Sequence, residues 1–239
     1  MTEKVRGKNY KKVAELVDEA KAYDPREAVG LVKKTARTKF DETIELHMRM
    51  GVDPHNANQQ VRGVATLPHG LGKKVRVLVF AQGEAERIAT QAGADVVGGD
   101  DLIKKVEEGF LEFDTAIATP DMMGKVGRLG KTLGRKGLMP NPKAGTVVSA
   151  ENLPRVIEDS RKGRVEFKLD RTSIIHVAVG KASFDEDKLM GNLTAIIEAI
   201  MRAKPTGAKG QFVKSAFIKT SMGPGIRLDL TPTLSLTAS

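Results

Sequence analysis

The stretch VRVLVFAQGEAERIATQAGADVVGGDDLIKKVEEGFLEFDTAIAT, Val75 to Thr119, decides the architecture. Val75 to Ala81 is apolar at every position but Arg76, the pattern of a strand buried on both faces. Gly83 to Ala92 reads as a helix, Asp95 to Gly98 as a short strand, Asp101 to Phe110 as a second helix and Thr115 to Thr119 as a third strand; another helix begins at Asp121. Strands alternating with helices require crossover connections, so this segment predicts a parallel, Rossmann-like sheet.

On either side the pattern changes. Thr43 to Met50 alternates, with Ile44, Leu46, Met48 and Met50 on one face and Thr43, Glu45, His47 and Arg49 on the other, as a half-buried strand does. Arg164 to Asp170 repeats the alternation and is expected in the same sheet. Ile174 to Val179 would be its hairpin partner, and Phe212–Lys219 with Ile226–Leu230 would form a last strand pair. Asp24-Pro25-Arg26-Glu27 is a helix start, with Asp as cap and Pro in the first turn. Ser183-Phe184-Asp185-Glu186 is another, followed by Leu189, Leu193, Ile196, Ile197 and Ile200 at helical spacing. The expected fold is therefore α/β plus α+β in two domains. A split α+β domain is built from both chain ends (1–69 and 162–239), with a Rossmann-like parallel α/β domain (70–161) inserted. The uncharged tail beyond Asp229 reads as mobile.

The chain carries 39 Lys and Arg against 30 Asp and Glu, a formal charge of +9. Within 70–161 there are 14 basic and 13 acidic residues, so the remainder holds 25 and 17 and is the stronger electrostatic footprint for a polyanion. Without cysteine, disulfides and thiolate metal sites are excluded. The charged beginning reads as no secretory signal, and no apolar run is long enough to span a bilayer, so a cytoplasmic chain without membrane partners is expected.

Met122 to Ala150 contains no acidic residue but holds Lys125, Arg128, Lys131, Arg135, Lys136 and Lys143 among six glycines. Cationic heads and exposed main-chain N–H groups suit phosphate. Gly130-Lys131-Thr132 fails as a phosphate-binding P-loop, because that motif needs a glycine at position 125, where Lys stands. His47, His55, His69 and His176 are scattered without metal-ligand spacing, so neither a metal nor a cofactor is expected. With no nucleophile motif, an enzyme is not indicated. Two Tyr and eight Phe supply few stacking surfaces, which favours folded RNA read through phosphate, ribose and shape over single strands. A nucleotide-dependent enzyme built on the inserted sheet is the competing reading, and an anionic-membrane binder a weaker one.

The string Gly137-Leu-Met-Pro-Asn-Pro-Lys-Ala-Gly-Thr-Val147 closely resembles the signature of the L-one family of ribosomal proteins. Further matching strings are Lys39-Phe40-Asp41-Glu42-Thr43, Leu67-Pro68-His69-Gly70-Leu71-Gly72-Lys73, Ala118-Thr119-Pro120-Asp121, Val179-Gly180-Lys181-Ala182-Ser183-Phe184 and Ser221-Met222-Gly223-Pro224. They extend over nearly the whole chain and look like the bacterial form. The resemblance implies a large-subunit structural protein, monomeric when free, that binds folded ribosomal RNA at the mobile stalk near the exit site. It also implies help in releasing deacylated tRNA and repression of its own operon through an RNA mimic on the messenger. Phe40, Thr43, Ser221, Met222 and Gly223 match the family's RNA-contacting positions, with Lys39, Glu42, His47, Lys168, Asp170 and Thr220 beside them. Lys131, Arg135, Lys136 and Lys143 would make a secondary RNA contact.

Overall fold

The computed structural model describes residues 7–208 and 210–236, the side chain of Lys143 excepted. The first part of the chain forms α1 (Lys8–Ala14), α2 (Pro25–Thr35), β1 (Thr43–Met50) and β2 (Arg62–Thr66). The middle forms β3 (Val77–Phe80), α3 (Glu84–Gln91), β4 (Val96–Gly98), α4 (Asp100–Glu107), β5 (Thr115–Ala118), α5 (Pro120–Val126), α6 (Gly130–Lys136) and α7 (Leu153–Lys162). The last part forms β6 (Arg164–Lys168), β7 (Ile174–Lys181), α8 (Glu186–Arg202), β8 (Val213–Thr220), β9 (Ile226–Leu228) and α9 (Leu230–Leu234). Backbone contacts divide the chain into two compact units, 1–72 with 165–239, and 73–164. The divisions fall at 73 and 164, against 70 and 161 read from the sequence.

The first unit is built on an antiparallel sheet of order β7-β1-β8-β9. Ile44, Leu46, Met48 and Met50 of β1 are buried, as are Ile175, Val177 and Val179 of β7 and Ala216 and Ile218 of β8. They meet Val29 and Val32 of α2 and Leu189, Leu193, Ile196, Ile197 and Ile200 of α8. Each fully buried side chain of this size removes about 1.5–3 kcal/mol worth of apolar surface from water, so this single face supplies the unit's main driving force. Asp24 caps α2 by accepting from the Arg26 N–H at 2.9 Å, with Pro25 beginning the helix. Buried Asn192 ties α8 to its surroundings: its amide donates to the carbonyls of Gly70 and Val179, both at 2.8 Å, and its oxygen accepts from the His69 N–H at 3.1 Å.

Two pairings differ from the sequence reading. β6 does not share the sheet of β1; it pairs with β2 in a separate two-stranded ribbon. β7 lies in the sheet as the neighbour of β1, with His47 opposite His176, and of the expected hairpin only the antiparallel bridge Leu169–Ile175 forms across the 171–173 turn. Alternation shows which face a strand buries, not which strand it lies beside. The tail also differs: Leu230–Leu234 is a helix whose cap, Asp229, accepts from the Thr231 N–H at 2.9 Å.

The second unit has a parallel sheet of order β4-β3-β5. Leu78 and Phe80 point to a core with Leu102, Val106, Met122, Val126, Leu129 and Leu133, while Val77, Val79 and Ile117 face Ala89, Leu153 and Ile157. Helices cover both faces, which is why Val77 to Phe80 is apolar at every position.

Candidate nucleic-acid interface

The strings 39–43 and 220–223, far apart in sequence, meet at one end of the antiparallel sheet, because β1 begins where β8 ends: Ile44 lies opposite Thr220. The Ser221 N–H donates to the Thr43 carbonyl at 3.0 Å. Its hydroxyl lies 3.2 Å from the Thr43 N–H, which donates to it. Glu42, only 1% exposed, binds both segments. One carboxylate oxygen accepts from the N–H groups of Arg37 at 2.9 Å and Thr38 at 3.0 Å; the other accepts from the Met222 N–H at 3.0 Å. Burial pushes the Glu42 pKa up, but the donors of Arg37, Met222, Thr220 and Thr38 outweigh it and hold it at about 2. Arg37 closes the arrangement by donating from Nη2 to the Met222 carbonyl at 3.3 Å.

This scaffolding leaves two large apolar side chains in solvent: Phe40 is 58% and Met222 50% exposed. Gly223 must be glycine, since a Cβ there would lie 2.4 Å from Thr220 Oγ1 and 3.1 Å from Thr35 Oγ1. Thr220 is fully buried. Lys39 is exposed beside Phe40. Lys181 adds a charge, donating to Thr43 Oγ1 at 2.9 Å. Asp41 anchors the same segment by accepting from the Ser183 hydroxyl at 2.7 Å and the Ser183 N–H at 3.1 Å. Sequence reasoning did not single out Arg37, Asp41 or Lys181; their part follows from pairings of distant segments. Of the residues expected to touch RNA, Glu42 and Thr220 are inside and shape the loops, while Phe40, Lys39 and Met222 are outside.

His47, Lys168 and Asp170 lie apart from this loop pair. His47 is on the outward sheet face, opposite His176 and Phe217. Burial, then Lys219 and His176, lower its proton affinity. Lys168 is exposed at the end of β6. Asp170 organises the turn before β7, accepting from the Ile174 N–H at 2.7 Å and from the Thr172 N–H and hydroxyl at 2.8 Å. Burial alone raises its pKa, yet these donors and His176 bring it to about 2.

In the second unit the basic, glycine-punctuated segment is mostly helical. α5, a 3-10 turn (Gly127–Leu129) and α6 run on as successive helical pieces, ended by Gly137 at φ 71°. Met122, Val126, Leu129 and Leu133 hold the inner side, and the register leaves Arg128, Lys131, Arg135 and Lys136 exposed. Lys125 pairs with Asp100 at 2.7 Å. A Cβ at Gly124, Gly127, Gly130 or Gly134 would meet nothing within 4 Å. Gly130-Lys131-Thr132 begins a helix rather than a phosphate-wrapping loop. The side chain of Lys143 lies outside the described residues. The signature string folds back on β5: the Ala118 N–H donates to the Thr146 carbonyl at 2.9 Å, and the Asn141 N–H to the Thr146 hydroxyl at 2.7 Å. Among the described residues, no three His, Cys, Asp or Glu side chains group as metal ligands, and no helix is long and apolar enough to cross a membrane.

The loop pair is thus organised around a buried carboxylate and presents Phe40 and Met222 to solvent. Residues 32–224 match the model of the Ribosomal protein L1p/L10e family. The chain belongs to that family of ribosomal proteins. It is similar to the large ribosomal subunit protein uL1 of Dehalococcoides mccartyi, with 65% identity over 224 residues covering 94% of each chain. The protein of the same name from Thermomicrobium roseum is 56% identical over 229 residues, covering 95% of each. That from Chloroflexus aggregans is 53% identical over 231 residues, covering 96% of this chain and 98% of the relative.

Proposed function

We propose that this chain is a non-enzymatic constituent of the large ribosomal subunit, in the cytoplasm, that binds folded ribosomal RNA of the mobile stalk near the exit site. The split unit is the principal RNA-binding domain. Ser221, Thr43 and the Gly223 backbone bond ribose and phosphate, Phe40 and Met222 pack against sugar or base surfaces, and Lys39 and Lys168 neutralise phosphate. The inserted unit makes a secondary contact through Lys131, Arg135, Lys136 and Lys143. By the same reading the protein assists release of deacylated tRNA and represses its own operon by binding a copy of the RNA fold on the messenger.

The observation that carries this is the exposure of Phe40 and Met222 on loops held by Glu42. Apolar side chains kept in water by a rigid scaffold cost stability unless a partner covers them. The relatives' shared name and the basic surplus of the split unit support an RNA partner. The test is Met222→Ala, measured both for binding to stalk RNA and for thermal unfolding. Affinity should fall about tenfold or more while the unfolding midpoint shifts little, since a half-exposed side chain contributes modestly to the core. Equal losses in both would make the segment structural and remove the proposed interface.

A further inference from the structure

The antiparallel sheet buries one face under α2 and α8; the other carries Glu45, His47 and Arg49 of β1, His176 of β7, Phe217 and Lys219 of β8, and Arg227 of β9. Register aligns four of these in one row across all four strands. His176 lies opposite His47, His47 opposite Phe217, and Phe217 opposite Arg227. At a strand spacing of about 4.8 Å the row is roughly 14 Å long, enough for two bases. Its members come from positions 47, 176, 217 and 227, so the scarcity of aromatics in the sequence conceals a local concentration of rings.

The row has the chemistry of a nucleobase platform. Phe217 is 37% exposed, and the His176 side chain 52%. The two imidazoles pack edge-to-face with centroids 4.9 Å apart, their Nδ1 atoms sharing one hydrogen bond at 2.6 Å. That contact needs one ring to donate and the other to accept, so at least one is neutral and offers an uncharged π-face.

The charges around the row favour a polyanion. Two carboxylates border the row and both are engaged, Glu45 with His47 at 3.4 Å and Lys219 at 3.8 Å and Asp170 with His176 at 3.4 Å. Arg49 and Arg227 have no ion-pair partner among the described residues. A single phenyl ring between guanidinium groups and imidazoles is a poor protein-docking patch, which needs contiguous apolar area. It suits a base stacked on π-faces with its phosphates beside arginine.

We propose that this outward sheet face, centred on the row His176–His47–Phe217–Arg227, binds one or two unpaired nucleotides by stacking. This inference rests on the RNA-binding reading above and adds a second mode to it: the loop pair at Glu42 holds the folded part of the RNA, and the sheet face holds a flexible, single-stranded flank.

The test uses the full-length protein and a pentaribonucleotide containing 2-aminopurine, too short to fold. Fluorescence should be quenched on binding, and the ring-proton signals of His47 and His176 should shift in NMR spectra. Phe217→Ala and Arg227→Ala should each weaken pentamer binding about fivefold or more, while Phe217→Tyr, which keeps the ring, should restore it. Met222→Ala should leave pentamer binding unchanged. Failure of the wild-type protein to bind the pentamer, or equal binding by Phe217→Ala, would overturn the stacking platform. Stalk-RNA binding that stays sensitive to Met222→Ala would still leave the loop-pair interface standing, whereas loss of that sensitivity would remove the reading on which both rest.

Discussion

Glu42 shows how a buried residue can shape an exposed loop pair without facing solvent itself. Its carboxylate gathers three backbone N–H groups from two segments 180 residues apart in sequence, and its pKa stands at about 2 against an ordinary 4.5. A carboxyl group whose folded pKa is depressed adds stability that is present above 4.5 and is lost as pH falls from 4.5 towards 2. At 1.36 kcal/mol per unit the contribution is about 3 kcal/mol. Glu42→Gln should therefore lower stability at neutral pH by about that amount, and urea midpoints of the two proteins should converge as pH drops through this window. A gap that persists unchanged at pH 2 would mean that the charge is not what holds the loops. The variant should also bind stalk RNA less well, though Glu42 is buried, because Phe40 and Met222 lose their support.

At the scale of elements, α8 is the piece on which the split unit is assembled. Asn192→Ala should cost about 2 kcal/mol in chemical unfolding, since the change strands the Val179 carbonyl in a buried site and removes the partners of the part-buried Gly70 carbonyl and His69 N–H. A loss below about 1 kcal/mol would show that these groups find other partners. Elements that depend on local pattern were legible in the sequence. β1 has the ends that alternation gives it, α2 begins at the Asp24–Pro25 signal, and the apolar run around Val77 to Phe80 is a doubly covered strand. Pairing was not legible, because β7 beside β1 and β6 beside β2 are tertiary choices on which a period-2 pattern is silent. The basic glycine segment is helical against its composition. Glycine lowers helix propensity, but burial of Met122, Val126, Leu129 and Leu133 at helical spacing overrides it. Likewise the strings that hold Phe40 and Met222 stand out in the sequence but their exposure does not, and the neighbours of Arg37, Lys181 and Phe217 emerge only when strands are set side by side.

Across the whole molecule, the split unit holds 23 basic and 17 acidic residues and the inserted unit 16 and 13, and the inserted unit exposes Lys131, Arg135 and Lys136 on one helical segment. If that segment is secondary, Lys136→Ala should weaken stalk-RNA binding less than Ser221→Ala, and the reverse order in a filter-binding comparison would exchange the roles proposed for the two units. The central claim is that the loop pair around Glu42 recognises a particular RNA fold rather than polyanions in general. It is tested most directly by titrating stalk-RNA binding against salt in the presence of excess unrelated RNA duplex. Binding should survive the competitor, with a linear fall of log affinity against log salt whose slope reports the few phosphates contacted. Displacement by the unrelated duplex at moderate salt would contradict it and leave only a generic basic surface.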